Sequence, residues 1–132
     1  MVYGHCGAFD LDGILERKLL RVGTVYSPIF FFYDGPEGRG IAVDSSVELQ
    51  KHLQEQLGKS AKDLSVIVVP RARDGLISAL VDGRVDVLMA NLTITPERSA
   101  LIDFSSPIQS GVRELIVTGP SLSHVETIDD LV

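Results

Sequence analysis

The feature that most constrains the fold of this chain is the apolar run 64–69, which is rich in β-branched residues. Such a run is typical of a strand that is covered on both faces, as in a parallel sheet. A second apolar run at 19–25 is also predicted to be a buried strand. Between the two, apolar residues at helical spacing predict a helix over 41–57, with Gly58 placed to end it. This order predicts an α/β domain built on a right-handed parallel sheet.

Periodicity and turn signals predict further elements on either side of this unit. In chain order they are a short helix near 11–15, a strand or cleft edge at 30–33, a turn cluster at 34–40, a helix over 76–81, a strand at 85–89, a short helix from 96, a strand at 112–118 and a helix from 128 onward. The apolar face of the helix over 76–81 is predicted to consist of Leu76, Ile77, Leu80 and Val81. Asp10, Thr95 and Thr127 are suited to cap helices, and Pro70 is expected to end the second long strand.

Charge and cysteine content exclude several classes of protein. The chain has 12 Lys and Arg against 18 Asp and Glu, so its net charge is −6 and it lacks the positive face that nucleic-acid binding needs. No apolar stretch reaches the roughly 18 residues that cross a bilayer. The single Cys6 cannot form an internal disulfide, and no Cys and His set has zinc-site spacing. We therefore expect one globular domain with no metal and no cofactor.

The segment 90–98 is the most informative candidate for a site, because ligands of open parallel sheets bind beyond the carboxyl ends of the strands. Thr95 is a good N-cap there and Pro96 a good first helical residue, which places the cation Arg98 in a first turn that prefers anions. One interpretation is that Arg98 pairs with Glu97, Asp103 or another surface acid. The other is that Arg98, the Thr93 hydroxyl and free backbone N–H groups hold a ligand carboxylate.

Aromatic residues follow the first long strand closely. Tyr26 comes directly after it, and Phe30, Phe31 and Phe32 follow. These side chains can fill the core, which is the better account of the middle of the Phe run. Tyr26 can instead cover the apolar part of a small ligand at the same edge of the sheet.

Several segments, in the right order, resemble the extracellular solute-binding proteins of family 3, the periplasmic receptors for polar amino acids. The segments are Asp74–Leu80, Gly83–Val87, Asn91–Arg98 and Asp103–Pro107. Two others, Gly40–Asp44 and Glu114–Pro120, look more like a subgroup in which the binding domain precedes a lytic transglycosylase domain. Ala42 stands where the amino-acid receptors commonly have an acidic residue. The resemblance extends from about Asp10 to the end of the chain.

This resemblance implies two α/β lobes hinged around a ligand, the type II periplasmic-binding-protein fold, of which the chain resembles the first lobe. We expect residues 1–9 to be a tail, which the sequence alone does not identify as native. Residues 10–119 are expected to be this lobe, and 120–132 to cross toward a second lobe that the sequence lacks. By the same resemblance, Arg98 grips the ligand's α-carboxylate with help from Thr93 and the backbone near Asn91, and Tyr26 packs on its side chain.

The resulting expectation is a periplasmic, non-enzymatic lobe that recognises the carboxylate of an amino acid or of a small, peptidoglycan-derived peptide. It would serve a transporter as a receptor or a lytic transglycosylase as a regulatory domain. Two alternatives stay open: an enzyme resembling the cyclohexadienyl dehydratases that share this fold, and a pure protein-interaction module. The bare cleft and an unfilled sheet position also predict pairing of two copies or strand exchange between them.

Overall fold

Three parallel strands form the central sheet of this chain, whose computed structural model describes residues 10–113. In chain order the elements are α1 (Leu11–Arg17), β1 (Leu19–Val25), β2 (Phe32–Asp34), β3 (Glu37–Arg39), α2 (Ile41–Leu57), a 3-10 turn (Gly58–Ser60), β4 (Ser65–Arg71), a 3-10 turn (Arg73–Gly75), α3 (Leu76–Val81), β5 (Val87–Leu88) and α4 (Pro96–Ser99). The sheet order is β4-β1-β5. The predicted parallel α/β architecture is confirmed, and β1 and α2 have the predicted bounds.

The strand β1 lies at the centre of the sheet. It pairs in parallel with β4 from Leu19 opposite Ser65 to Val25 opposite Arg71, and with β5 along only two residues. Gly23 faces β5, and a Cβ atom at this position would lie 2.7 Å from a Leu88 methyl carbon and 3.0 Å from a Val85 methyl carbon. The glycine therefore leaves room for the side chains of Leu88 and Val85 to pack over β1.

Helices cover both faces of the sheet and divide the core into two parts. On one face, α2 packs Leu49, Leu53 and Leu57 against a cluster that includes Leu20 and Val22. On the other face, α3 contributes to a second cluster, whose buried members are Val25, Leu76, Ala79, Leu80, Val85, Leu88 and Ile102. No helix within residues 10–113 has the length and apolar character needed to cross a bilayer.

The prediction that Pro70 ends its strand is wrong, because β4 continues through Pro70 to Arg71. The backbone N–H of Ser65 points toward β1 and donates to Lys18, whereas that of Val66 points outward and donates to Gln50. Successive residues of a strand alternate in this respect, so the nitrogen of Pro70 faces the outer edge of β4 and breaks no bond of the ladder.

Three other predicted features differ from the structure. The run 64–69 is not covered on both faces among the described residues, since Ile67 in the edge strand is 42% exposed. The turn cluster 34–40 contains a hairpin, in which β2 and β3 pair around Gly35 and Pro36. In α3 the buried face includes Ala79, whereas Val81 is 51% exposed because the helix ends there.

The third strand is shorter than its sequence pattern predicts. Of the strand predicted at 85–89, only Val87–Leu88 pairs as a strand, although 85–88 are all buried. The predicted strand 112–118 and the helix from 128 onward lie outside the described residues apart from 112 and 113, which are not in a strand. Asp10 and Thr95 cap α1 and α4 with their side chains as predicted.

A buried carboxylate joins α1, β1 and the start of β5. The side chain of Asp86 is 0% exposed and accepts hydrogen bonds from the Arg21 backbone N–H at 2.7 Å, from the Arg21 guanidinium at 2.8 and 3.1 Å, and from Arg17. Burial alone would raise the pKa of Asp86, but these hydrogen bonds and the charge of Arg21 outweigh it and lower the pKa. Asp86 is thus ionised and paired in the folded protein.

Replacing Asp86 tests this pairing. Asp86→Asn leaves two guanidinium groups against a neutral amide and is expected to lower the free energy of unfolding by about 3 kcal/mol. Because the folded pKa lies below the unfolded value of about 3.9, the stabilisation is complete above that value and is lost as pH falls through the folded pKa. Urea denaturation from about pH 3 to pH 7 measures both effects. Asp63→Asn, which removes an exposed partner of Lys18, is the control, and equal losses in the two variants would contradict the prediction.

Candidate functional site

The parallel sheet brings three segments of the chain to one edge, which we call the carboxyl edge. Tyr26 directly follows β1, Arg71 ends β4, and the segment 89–98 follows β5. The order β4-β1-β5 puts Tyr26 between the other two. The side chain of Thr24 supports this edge from inside the sheet, since its hydroxyl donates to the Met89 carbonyl at 2.7 Å.

Aromatic side chains form one wall of the carboxyl edge. Phe31 is buried, and the rings of Tyr26 and Tyr33 meet it edge-on at centroid distances of 5.5 and 5.1 Å. Tyr26 is nonetheless 58% exposed, so much of its side chain is free to contact a ligand. Partial desolvation and a hydrogen bond with Tyr33 raise the pKa of Tyr26, which keeps its hydroxyl neutral at physiological pH.

The aromatic wall is fixed to the start of α2 through Gly40. The backbone N–H groups of Ile41 and Ala42 donate to the carbonyls of Ile29 and Phe30 at 3.0 and 3.1 Å. Gly40 itself has φ +120°, and a Cβ atom there would lie 2.5 Å from the Phe30 carbonyl oxygen. Only glycine fits this position, because both the dihedral angle and the close approach exclude a side chain.

The polar side of the edge is built by Arg98 and the loop before it. The Arg98 guanidinium donates to the Thr93 carbonyl at 2.8 Å, and the Arg98 backbone N–H donates to the Thr95 hydroxyl at 3.3 Å. Arg98 is half-buried. Within residues 10–113 no salt bridge joins it to a carboxylate, so the predicted pairing with Glu97 or Asp103 is not observed. The cation is therefore held in place at the edge while most of its donors stay available.

Asn91 has a partner that the sequence did not indicate. Arg73 follows β4 and donates to the Asn91 side-chain oxygen at 2.7 Å and to its backbone carbonyl at 3.4 Å. The place of Arg73 directly after a strand was a signal for a site residue, but its pairing depends on the sheet order. The described contacts thus form two groups, with Tyr26 in the aromatic wall and Asn91, Thr93 and Arg98 on the polar side.

Glu97 lies beside Arg98 in the sequence, and its carboxylate is ionised. Hydrogen bonds from its own backbone N–H and from the Thr95 hydroxyl, together with the nearby Arg98, lower the pKa of Glu97. The carboxylate is exposed and is ionised at neutral pH. It is therefore suited to cap the first turn of α4 and unsuited to donate a proton.

An open concavity of about 520 Å³ lies along α2 and reaches the carboxyl edge only at Met89. It is lined by Asp44, Ser45, Glu48, Leu49, His52 and Met89. None of the four predicted site residues lines it, and it combines one exposed helix face with a single side chain from the end of β5. In the described part of the chain, no group of three His, Cys, Asp or Glu side chains is placed to hold a metal ion. The carboxyl edge remains the candidate site.

Comparison with known proteins places the chain among solute-binding proteins. The family model for bacterial extracellular solute-binding proteins, family 3, matches residues 20–122. The L-cystine-binding protein TcyJ of Escherichia coli K12 is 32% identical over 124 residues, covering 92% of this chain and 43% of TcyJ. Membrane-bound lytic murein transglycosylase F of Idiomarina loihiensis is 33% identical over 95 residues, covering 71% of this chain and 19% of that protein. The chain thus spans less than half the length of these relatives.

Solved structures agree with the fold. The ancestral amino acid-binding protein AncCDT-1, a precursor of cyclohexadienyl dehydratase, superposes with a TM-score of 0.61 at 38% identity, over 74% of this chain and 40% of that one. The arginine-bound form of domain 1 from TmArgBP superposes with a TM-score of 0.56 at 32% identity, over 74% and 72% of the two chains. The predicted type II lobe and the predicted relation to transglycosylase F are confirmed.

Substitution of Gly40 tests how the aromatic wall is held. Gly40→Ala combines a strained φ with contact against the Phe30 backbone, so we expect the free energy of unfolding to fall by at least about 2 kcal/mol. Gly35→Ala is the matched control, because Gly35 also has a positive φ, +62°, but nothing lies within 4 Å of the added Cβ. This variant is expected to lose about 1 kcal/mol. Urea denaturation measures both, and equal losses would show that the contact with Phe30 is unimportant.

Proposed function

Because this chain belongs to the bacterial extracellular solute-binding proteins, family 3, we propose that it is a solute-recognition lobe for the carboxylate of an amino acid or small peptide. The observation on which this rests most is the half-buried residue Arg98 at the carboxyl edge, whose guanidinium has no carboxylate partner within residues 10–113. A planar guanidinium can bind a carboxylate through two parallel hydrogen bonds. Its bond to the Thr93 carbonyl fixes the side chain beforehand, which lowers the entropy lost on binding.

The other predicted site residues have complementary roles in this proposal. The exposed face of Tyr26 covers the apolar part of the ligand, while the Thr93 hydroxyl donates to the carboxylate that Arg98 binds. The Asn91 carboxamide is oriented by Arg73, so that its NH₂ group is free to donate to the same ligand. The polar side thus supplies donors for an anion, and the aromatic wall supplies apolar area.

A single lobe supplies only part of the contacts of a closed two-lobed receptor. We therefore expect affinity in the millimolar range for free ligand, with the second lobe adding a partner for the ligand's amino group. The arginine-bound form of domain 1 from TmArgBP, a lobe of comparable extent, supports binding by one lobe. Closure of two lobes around the ligand would then present the cargo or report its presence.

The cellular role follows from what the lobe is joined to. L-cystine binding by TcyJ supports a receptor for transport, and transglycosylase F supports a regulatory domain that senses peptidoglycan-derived peptides. Both settings are compatible with a periplasmic location, which we propose for this lobe. A lysozyme-like domain encoded downstream of a second lobe would favour regulation, whereas an end after that lobe would favour uptake.

A binding role also accounts for the carboxylates of the site better than an enzymatic one. A dehydratase needs a general acid placed over its substrate, with a pKa near the working pH. Glu97 has a lowered pKa and is therefore a poor proton donor. The exposed Asp103 lies beyond α4, in a loop. A turnover assay with cyclic carboxylic acids on the two-lobed protein tests this exclusion.

Removal of the Arg98 guanidinium tests the proposed site. Arg98→Gln is expected to weaken binding of amino acids and muropeptides at least about tenfold, because a charge-assisted pair of hydrogen bonds is lost. Amide chemical-shift titration of the ¹⁵N-labelled chain measures these affinities. Arg84→Gln removes the same charge at the opposite edge of the sheet, where Arg84 pairs with Asp82, and should leave binding unchanged. Unaltered affinity of Arg98→Gln for every carboxylate ligand would refute the assignment.

Self-association is the second expected property of a lone lobe. Apolar side chains are exposed at the carboxyl edge and beside it, with Ile29 62% exposed and Tyr33 59% exposed. The two-residue strand β5 has β1 as its only neighbour within residues 10–113. We expect dimers to form near millimolar concentration, through this apolar surface or by strand exchange. Light scattering across a dilution series measures the mass, and a strict monomer at the highest concentration would contradict the prediction.

A further inference from the structure

Arg71, the last residue of β4, has a buried donor without an acceptor. It lies opposite Val25, which is the residue before Tyr26 in the chain, and it is half-buried at the carboxyl edge. Its Nε atom is buried and has no hydrogen-bond partner among the described residues. Buried donors are nearly always paired in native proteins, and an unpaired guanidinium donor is especially unfavourable. Arg71 therefore has a donor whose acceptor the described residues do not supply.

The distribution of charge singles out the same place. Six of the 12 cations pair with carboxylates of the chain, namely Arg17, Lys18, Arg21, Arg39, Lys51 and Arg84. The other six have no such partner within the described residues: Arg71, Arg73 and Arg98, which follow β4 or β5 at the carboxyl edge, and Lys59, Lys62 and Arg113. Three of the four guanidinium groups without a carboxylate partner within residues 10–113 thus lie at one edge of an acidic protein, where they attract an anion locally.

We infer that the carboxyl edge takes a ligand with two carboxylates, one bound by Arg98 and the other by Arg71 with Arg73 beside it. The inference rests on the proposed function, because Arg98 holds the first carboxylate. Neighbouring strands lie about 4.8 Å apart, so β4 and the segment after β5 are separated by about 10 Å. Two long arginine side chains can close on a small dicarboxylate across that distance, with Tyr26 between them. An acidic amino acid has this chemistry.

The comparison of L-glutamate with L-glutamine tests the inference, because the two ligands have nearly the same shape and differ in one charge. We expect the ¹⁵N-labelled 132-residue chain to bind glutamate at least about fivefold more tightly at low ionic strength. Arg71→Gln should reduce this ratio to near one while leaving the affinity for glutamine within about twofold. Lys59→Gln removes an exposed charge remote from the edge and should preserve the ratio. Added salt should reduce the preference.

A direct signal keeps the test independent of the stability of the Arg71→Gln variant. The Nε–H resonance of Arg71 in the unsubstituted chain should shift on addition of glutamate and not on addition of glutamine. Arg71→Lys retains the charge and should retain part of the preference for glutamate.

The outcomes separate the two proposals. Binding of glutamate and glutamine with equal affinity, both weakened by Arg98→Gln, would overturn the dicarboxylate inference and leave the proposed function intact. A preference that survives Arg71→Gln would overturn it as well, since another group then recognises the second carboxylate. Affinities that do not change in Arg98→Gln, or no binding at tens of millimolar ligand, would remove the proposed function and this inference together.

Discussion

The parallel alignment of β1 with both of its neighbours is the constraint on which the rest of this structure depends. Parallel strands need helical crossovers, so α2 and α3 lie on opposite faces and enclose the two parts of the core. The same alignment brings the ends of all three strands to one edge. Residues distant in sequence, such as Tyr26, Arg71 and Arg98, thereby come to flank one surface. The site is a direct result of the topology.

Charges in this molecule serve two distinct purposes. At the start of β5, Asp86 is buried between Arg17 and Arg21, where its ionised form joins three elements of the fold. At the other edge, the Thr93 carbonyl accepts a hydrogen bond from Arg98, and neither Arg98 nor Arg71 has a carboxylate partner within residues 10–113. The first arrangement is closed, because donors and acceptor satisfy each other. The second is open, and its donors are available to a ligand.

Local patterns were sufficient to predict some elements, while others required knowledge of neighbours. The bounds of β1 and α2 could be predicted because a long apolar run and a glycine with φ +53° at Gly58 are properties of the segment itself. Whether Pro70 ends a strand depends on which way its nitrogen faces, and a sequence does not show that. Of the site, the place of Arg98 near the cap Thr95 was predictable. The bond between Arg73 and Asn91 was not, since it joins loops from two strands that are not adjacent in the sheet.

The outward nitrogen of Pro70 also bears on how copies of this chain can meet. An extended segment that approached the outer side of β4 would find no donor at Pro70, and the donor of Val66 is already occupied by the Gln50 side chain. A growing ladder of backbone bonds therefore cannot start easily on that flank. Cross-β stacking into fibrils is disfavoured there, even though Ile67 is solvent-accessible. Pro70 and the occupied Val66 donor thus leave this incompletely covered sheet margin with fewer backbone groups on which a cross-β ladder could grow.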